Sequence, residues 1–171
     1  MPIYLLIERG NPPNKGVWCV PGGKIELGEP TLAAAQRELA EEVKFDDNNN
    51  DKQENIQLAW YPGGAFCTSD SISKGDMATG KEGYHYLIAQ CFAEVIVQND
   101  NVNTSKDKLL PPPPAVTPAD DAQAAKWWTL EDIRTAEANK ETVPNLVRVI
   151  ERAETLYQCG MLPTTIPSSP E

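Results

Sequence analysis

The stretch that decides the fold lies between residues 22 and 45. It begins with Gly22-Gly23-Lys24-Ile25-Glu26-Leu27-Gly28-Glu29 and leads, after Pro30, to Arg37-Glu38-Leu39-Ala40-Glu41-Glu42. Ala, Leu, Glu, Gln and Arg dominate between Pro30 and Phe45, and Pro30 suits a first helical turn, so the pattern predicts a helix there. One stripe of that helix is apolar and must face a core; its members are Leu32, Ala35, Leu39 and Val43. The glutamates therefore emerge at the margin of the buried face.

Three glutamates at this margin are close enough to share a cation. Glu38 and Glu42 lie four residues apart on one flank, and Glu41 lies roughly 60–100° further round the helix. Like charges at this spacing destabilise a helix by a few tenths of a kcal/mol unless a cation relieves them. Carboxylate oxygens suit Mg²⁺ or Mn²⁺, and the flexible backbone of Gly22 and Gly23 could add a carbonyl ligand. A solvated acidic helix surface is the alternative interpretation.

The complete spacing resembles the box of the Nudix hydrolases, which reads G-x5-E-x7-R-E-U-x-E-E-x-G-U, where U is a bulky aliphatic residue. The matching positions in this sequence are Gly23, Glu29, Arg37, Glu38, Leu39, Glu41, Glu42 and Phe45. A chance match of this quality in one chain is on the order of one in a million. One position departs, because Lys44 stands where the family has a glycine that ends the helix. We therefore expect a longer or remodelled helix end that runs into the Asn-rich loop.

The resemblance implies an α/β fold, a Nudix-type α/β/α sandwich with a mixed β-sheet between helices. We expect a single domain over residues 1–160, with insertions at about 46–55, 69–83 and 99–118, and then a loose C-terminal tail over 161–171. Only two residues precede the first predicted strand, Ile3–Arg9, whereas the family normally has another strand ahead of it. Either the chain is truncated relative to its relatives or the sheet is completed differently.

The hydrophobic pattern predicts the remaining elements. Further strands are expected at Val17–Val20, Ile56–Tyr61, Ala65–Thr68, Tyr84–Val97 and Lys126–Thr129, and the longest of them, Tyr84–Val97, is typical of a central strand. Residues 69–83 are expected to form a loop. A capping box at Thr129–Asp132 opens a short helix, and apolar residues from Val143 to Tyr157 recur at helical spacing. The run Pro111–Pro114 is interpreted as part of a surface insertion, with a polyproline ligand as the alternative.

The resemblance also implies the chemistry. It is Mg²⁺-dependent hydrolysis of the diphosphate bond in a nucleoside diphosphate linked to another moiety, by attack of water on phosphorus. The metal ligands that it implies are Glu38, Glu41 and Glu42, assisted by the Gly23 carbonyl. One of these glutamates, or a carboxylate on a downstream loop, is expected to accept the proton of the attacking water.

Residues outside the metal set are expected to position the site. Glu29 and Arg37 would orient it rather than react. Asp121 and Glu82 are the downstream candidates for the proton acceptor, although a surface or turn carboxylate is the favoured interpretation of each. His85 is the only histidine, and we expect it to pack or to line the substrate rather than to act as a base.

Segments outside the box resemble the Nudix branch often described as ADP-ribose pyrophosphatase. These segments are Gly10–Trp18, Pro21–Gly23, His85–Tyr86, Asp121 and Lys126–Trp127. ADP-ribose is therefore the leading substrate; the alternatives are sanitising hydrolysis of oxidised nucleoside triphosphates and a non-catalytic nucleotide-binding module. The expected substrate contacts are Arg9, Trp18, His85 and Asp121. Any of the four tryptophans could stack a base, with core packing as the alternative.

Composition excludes several classes of partner. The 171 residues include 25 Asp and Glu against 15 Lys and Arg, and the net charge of −10 disfavours polymeric nucleic acid and anionic membranes. No apolar run is long enough to span a membrane, and the N-terminus lacks the features of a signal peptide. Four cysteines without a C-x-x-C pair indicate a reduced, cytoplasmic protein, with an organellar address lost by truncation as the alternative. The expected partner is a small nucleotide substrate. A homodimer is the one assembly that we expect could form.

Overall fold

The computed structural model describes residues 1–12, 14–46, 55–76, 78, 80, 82–98 and 112–167. The strands and helices follow in the order β1 (Ile3–Arg9), β2 (Trp18–Cys19), α1 (Thr31–Glu42), β3 (Val43–Asp46), β4 (Asn55–Ser73), β5 (Tyr84–Gln98), β6 (Ala115–Pro118), β7 (Ala122–Thr129), α2 (Leu130–Ala138) and α3 (Leu146–Gln158). The predicted strand at Ile3–Arg9 is confirmed. So is the capping box at the start of α2, where Thr129 and Asp132 bond each other reciprocally.

The strand β1 lies at the centre of a three-stranded antiparallel sheet, between β2 and β7. Its pairing with β7 runs from Ile3 opposite Thr129 to Arg9 opposite Ala122. The remaining strands form two antiparallel pairs, β3 with β6 and β4 with β5. A parallel bridge joins Trp18 to Thr142 beside the central sheet. The antiparallel pairing with β7 brings the end of β1 to the start of β7.

Each face of the central sheet has its own hydrophobic core, because successive side chains of β1 point to opposite faces. Leu6 is 0% exposed and packs with Ile133 of α2 and Ile150 of α3. Ile7 is 1% exposed and packs in a second cluster that includes Leu39 of α1. Helices therefore cover both faces of the sheet, which confirms the predicted α/β/α sandwich.

The helix α1 ends at Glu42, three residues before the predicted end at Phe45. Val43 is already extended, with φ −136° and ψ 129°, and it begins the pairing of β3 with β6. A buried β-branched side chain at this position favours the strand over another helical turn. Lys44 needs no left-handed conformation there, and its Nζ instead donates to the Ala40 carbonyl at 2.7 Å. The expected helix end is thus remodelled rather than lengthened.

The strands β4 and β5 form one long two-stranded ribbon. The predicted pieces on either side of Pro62–Gly64 belong to a single strand, whose register shifts between Trp60 and Ala65 and again between Ala65 and Cys67. The predicted loop begins later than expected, because Ser69–Ser73 pair with β5. The prediction of a central strand is wrong, since β5 pairs with β4 alone among the described strands. The apolar residues on both of its faces leave Leu87 70% exposed.

The first part of the predicted loose tail is packed. Leu162 is 3% exposed, and the hydroxyl of Thr164 donates to the Glu94 carboxylate. Trp60 and Thr165 exchange two backbone hydrogen bonds at 2.8 Å. These contacts correct the prediction for residues 161–167, because an apolar side chain and backbone pairing fix the segment against the ribbon. Residues 168–171 lie outside the described part of the chain.

The other predicted insertions fall largely outside the described residues. Residues 47–54 and 99–111 belong to that undescribed part. Within the described part, the proline run leads directly into β6, and the Pro114 carbonyl accepts a hydrogen bond from Trp127 Nε1 at 2.7 Å. Across the described ranges, none of the helices combines the length and the apolar character needed to cross a membrane. The four cysteines are free, with Cys19 buried and Cys159 exposed.

Candidate functional site

The loop before α1 lies directly against the glutamates of that helix. A Cβ added at Gly23 would collide with the Glu38 carboxylate in its present position, so this carboxylate can lie against the backbone because residue 23 has no side chain. The backbone N–H of Gly22 donates to Glu42 Oε2 at 2.8 Å. The two glycines therefore hold two carboxylates, four residues apart on α1, against one stretch of backbone.

Arg37 joins three carboxylates and one carbonyl. Its guanidinium contacts Glu29 in a two-pronged ion pair, with Nε 2.9 Å from Oε1 and Nη2 3.0 Å from Oε2. Nη1 donates to Glu38 at 2.9 Å and to Glu41 at 3.0 Å, and Nη2 also donates to the Lys24 carbonyl at 3.0 Å. The Arg37 guanidinium lowers the pKa of Glu29 below its usual range. The loop over residues 24–29 is thereby fastened to α1.

Glu42 is the buried carboxylate of the group, with 4% of the residue exposed. Burial raises the pKa of Glu42 to about 7, and the charges of Asp121 and Glu38 act in the same direction. The Gly22 N–H and the Arg9 charge oppose this rise. Such a carboxylate is poorly stabilised by its own surroundings, which is the condition that an added cation would relieve.

The box glutamates diverge in the structure. Glu38 and Glu41 both turn to Arg37, while Glu42 turns to the Gly22 N–H. Across the described ranges, no three His, Cys, Asp or Glu side chains are gathered as closely as a metal ion requires. The side chain of Glu41 is 46% exposed, against 15% for Glu38. Glu41 is therefore the more accessible of the two glutamates that Arg37 holds.

The residues of this site lie within a segment that matches a known protein family. The family described as the NUDIX domain matches residues 3–147. The chain belongs to the NUDIX domain family. No protein in a search of curated proteins matches it.

Two solved structures resemble this NUDIX domain at low identity. One is the crystal structure of a bifunctional NMN adenylyltransferase/ADP ribose pyrophosphatase from Francisella tularensis complexed with AMP and Mn ion; it is 23% identical with a TM-score of 0.47, over 91% of this chain and 38% of that one. The other is a crystal structure of the same bifunctional protein from Francisella tularensis; it is 22% identical with a TM-score of 0.47, over 90% of this chain and 36% of that one. The chain thus spans less than half the length of either.

Two further predicted residues lie beside Glu42 in the NUDIX domain. The Asp121 carboxylate accepts a hydrogen bond from Asn11 Nδ2 at 3.1 Å, and its backbone carbonyl accepts one from the Gly10 N–H at 2.8 Å. Arg9 lies close enough to Glu42 and to the Cys19 thiol to lower the pKa of both groups, although burial outweighs it in each. Sequence reasoning assigned no role to Asn11. Asn11 follows β1 and Asp121 precedes β7. A prediction that β1 and β7 pair antiparallel would therefore have placed Asn11 beside Asp121.

Three other predicted residues lie away from the box. Trp18 packs edge-to-face on Trp128, with ring centroids 5.1 Å apart, in the core on the α2 and α3 side of the sheet, opposite α1. His85 lies on the ribbon with its Nε2 2.6 Å from Asp70 Oδ1. Glu82 is exposed, and no described contact joins it to the box. The structure therefore brings together the box, Arg9 and Asp121, and leaves these three apart.

Proposed function

We propose that this NUDIX domain is a Mg²⁺-dependent hydrolase of the diphosphate bond in a nucleoside diphosphate linked to another moiety, with ADP-ribose as the leading substrate. One observation carries the proposal: Gly22 and Gly23 hold the carboxylates of Glu42 and Glu38 at one place on the surface of α1. We further propose that the chain acts as a single domain that includes the packed residues 161–167. The preference for ADP-ribose rests on the sequence segments outside the box.

The residues present fit a divalent cation. Glu42 is a buried carboxylate with a raised pKa, and Glu38 and Asp121 add like charge beside it. A group of this kind is costly to ionise unless a cation joins it, and carboxylate and carbonyl oxygens are the ligands that Mg²⁺ and Mn²⁺ prefer. Because Gly23 lacks a Cβ, its backbone stays open to the Glu38 carboxylate. When bound, Mg²⁺ would neutralise phosphate charge and lower the pKa of an attacking water.

Each residue then has a separate task. Glu38, Glu42 and the Gly23 carbonyl would hold the cation, and Glu41 would join them once it leaves Arg37. Arg37 and Glu29 act as positioning residues, because their ion pair fastens the glycine loop to α1.

Two residues outside the box complete the proposed site. Asp121 is oriented by Asn11 and would accept the proton of the attacking water. Arg9 supplies positive charge beside Glu42, where it can meet a substrate phosphate.

A substrate panel tests the proposal. The full chain is incubated with Mg²⁺ and ADP-ribose, other nucleoside diphosphate derivatives or oxidised nucleoside triphosphates, and the products are separated by chromatography. Glu41→Gln and Glu42→Gln should each lower kcat/KM by about 100-fold or more, since even outer-shell partners of a metal contribute about 10- to 100-fold. Glu26→Gln is the matched control, because this exposed glutamate lies in the same loop without a side-chain contact among the described residues.

The panel also separates the alternatives. Turnover of oxidised nucleoside triphosphates in preference to ADP-ribose would replace the proposed substrate while keeping the enzyme. Binding of nucleotides without turnover of any panel member would instead identify a non-catalytic module. Equal losses in Glu26→Gln and Glu42→Gln would show that the box glutamates have no special role.

A further inference from the structure

A cavity of about 350 Å³ lies on the face of the central sheet that α2 and α3 cover. Lys126 and Trp128 of β7 line it; they are two residues apart, so their side chains share one face of the strand. Asp132 of α2 and Glu141, which follows α2, also contribute to its wall. The helix α1, which carries the box, packs on the opposite face. The volume lies within the range of small-molecule sites, about 300–1,000 Å³.

Hydrogen bonds hold the wall of the cavity in place. The Glu141 N–H donates to the Ala136 carbonyl at 2.9 Å, and the Glu141 carbonyl accepts from the Trp18 N–H at 2.8 Å. The Asp132 carboxylate is engaged in the cap of α2, where it accepts from the Thr129 hydroxyl at 2.6 Å. The Glu141 side chain is exposed and makes no hydrogen bond or ion pair within the described part of the chain. The backbone therefore positions a free carboxylate at the cavity.

Lys126 brings a positive charge to the cavity. Its Nζ lies 4.0 Å from the ring centroid of Trp128 and 4.5 Å from that of Trp18. Such cation–π contacts hold an ammonium group in place but supply no acceptor to its N–H donors. Of the ion pairs among the described residues, none includes Lys126. The ammonium group is therefore fixed in position with donors open to a ligand.

Trp128 adds a second donor to the same wall. The residue is 9% exposed, and its indole Nε1 is buried without an acceptor among the residues that the structure describes. The neighbouring indole of Trp127, by contrast, donates to the Pro114 carbonyl at 2.7 Å. An unpaired donor in a protein interior is costly, and an acceptor that enters the adjacent space relieves the cost. An ammonium group and an indole N–H on one strand thus both require an oxygen acceptor.

The charges around the cavity restrict the kind of ligand that fits it. One ammonium, that of Lys126, faces the same space as the carboxylates of Asp132 and Glu141. The two carboxylates repel a phosphate group, which carries a charge of roughly −2, and Lys126 repels an organic cation. A dipolar ion meets neither objection, because its carboxylate can pair with Lys126 and its ammonium with Glu141. The Trp128 ring and Ala136 offer apolar surface to the rest of such a ligand.

We propose that this cavity binds a zwitterionic amino acid with an apolar side chain. Lys126 Nζ and Trp128 Nε1 donate to its carboxylate, and the Glu141 carboxylate accepts from its ammonium group. A ligand of this size is expected to bind with a dissociation constant on the order of 1 mM. The inference goes beyond the proposed hydrolase function and does not depend on it, since the cavity and the box lie on opposite faces of the sheet.

A set of matched probes tests the proposal on the full chain in chelator. L-phenylalanine carries both charged groups, 3-phenylpropanoate lacks the ammonium group and phenethylamine lacks the carboxylate. NMR titration of the indole N–H signals measures the dissociation constant of each probe. L-phenylalanine should bind about tenfold more tightly than either of the others, because only it satisfies both ends of the site. It should shift the Trp128 signal and leave that of Trp60, which lies on the ribbon, in place.

Substitutions at the two ends of the site separate their contributions. Lys126→Gln should weaken the binding of L-phenylalanine about tenfold without weakening that of phenethylamine. Glu141→Gln should weaken L-phenylalanine by a similar factor without weakening 3-phenylpropanoate. Lys15→Gln and Glu26→Gln are the matched controls, because both residues are exposed and lie outside the cavity. Circular dichroism and Tm confirm that each variant folds, which these exposed positions should permit.

A Trp128 signal that does not move at about 10 mM L-phenylalanine would overturn the proposal. Equal binding of the three probes would also overturn it, since it would indicate apolar adsorption without recognition of charge. An affinity for L-phenylalanine that survives both Lys126→Gln and Glu141→Gln, or that the control variants weaken equally, would place the binding elsewhere and contradict the assigned site.

Discussion

The guanidinium of Arg37 donates to the carboxylate of Glu41, four residues further along α1, at 3.0 Å. The same Nη1 atom donates to Glu38. Arg37 therefore neutralises two of the three carboxylates that the proposed metal site needs. In the absence of a divalent cation, the arginine acts as the counter-ion of the box, and binding of the cation must replace part of its contacts.

Replacement of Arg37 by lysine should lower the stability of the metal-free protein. It should also lower the activity measured with Mg²⁺. Lysine keeps the charge but cannot reproduce the forked contact with Glu29. We expect a lower Tm in chelator, a larger rise of Tm on addition of Mg²⁺ and a loss of kcat/KM of about 10- to 100-fold. Thermal melts with and without Mg²⁺ measure the first two effects. An unchanged Mg²⁺-dependent rise would contradict the role of Arg37 as counter-ion.

Alanine at Gly23 should affect activity more than stability. The new Cβ meets the far end of the Glu38 side chain, which can move aside at little cost to folding but then leaves its position in the site. We expect Tm to change little and kcat/KM to fall about 10- to 100-fold. Gly10→Ala is the contrasting variant, because its Cβ meets the backbone carbonyl of Asp121, and it should lower Tm. If both variants lose stability and activity in parallel, the distinction fails.

Glutamine at Glu42 should stabilise the metal-free protein at pH 8. The ionised carboxylate is buried with its pKa raised to about 7, whereas glutamine is neutral and can still accept from the Gly22 N–H. We expect a gain of roughly 1–3 kcal/mol in the free energy of unfolding in chelator. Urea denaturation measures it. Mg²⁺ should stabilise the wild type and leave the variant almost unchanged, and an equal response in both would count against Glu42 as a ligand.

The thiol of Cys19 should react more slowly than that of Cys159. Burial raises the pKa of Cys19 to about 11, so at pH 8 almost none of it is the reactive thiolate, and its buried position limits access further. Iodoacetamide labelling followed by mass spectrometry measures each rate between pH 7 and 10. The Cys19 rate should still be rising at the top of this range. Labelling of Cys19 as fast as Cys159 would show that the region around β2 opens readily.

Alanine at Leu162 should destabilise the fold. Leu162 is 3% exposed in a segment that the sequence alone does not mark as structured. Loss of a buried leucine typically costs about 2–5 kcal/mol in the free energy of unfolding. Met161→Ala is the neighbouring control; because Met161 is 61% exposed, its effect should stay within about 0.5 kcal/mol. Similar small losses in both would mean that the segment contributes little to the fold.

The parts of the structure that depend on local spacing are predictable from the sequence. The order of Gly23, Glu29, Arg37 and the three glutamates predicts the loop and helix that carry the candidate site, and the apolar run Ile3–Arg9 predicts β1. The residues that make up each signal lie in one short stretch of sequence. Neither prediction therefore needs knowledge of the rest of the chain.

The parts that depend on distant partners are not predictable in this way. The end of α1 at Glu42 follows from the pairing of Val43 with Pro118, which lies 75 residues away. Trp18 and Cys19 stand in a short apolar run whose two faces the sequence does not distinguish, and only the opposite cores show that Cys19 faces α1 while Trp18 faces away. The sequence predicts an interruption of the strand at Pro62–Gly64. Only the register with β5 shows that the strand continues past this point.

The pairing of β1 with β7 constrains the order in which the chain can fold during synthesis. Leu6 lies opposite Lys126, so β1 can pair with β7 only after the long stretch of chain between them has left the ribosome. Tyr4 also donates to Glu154 on α3, which emerges later still. Contacts of such long sequence separation slow folding. The helix that carries the box can form early, but the carboxylates on it reach their final surroundings only after β7 has been made and has paired with β1.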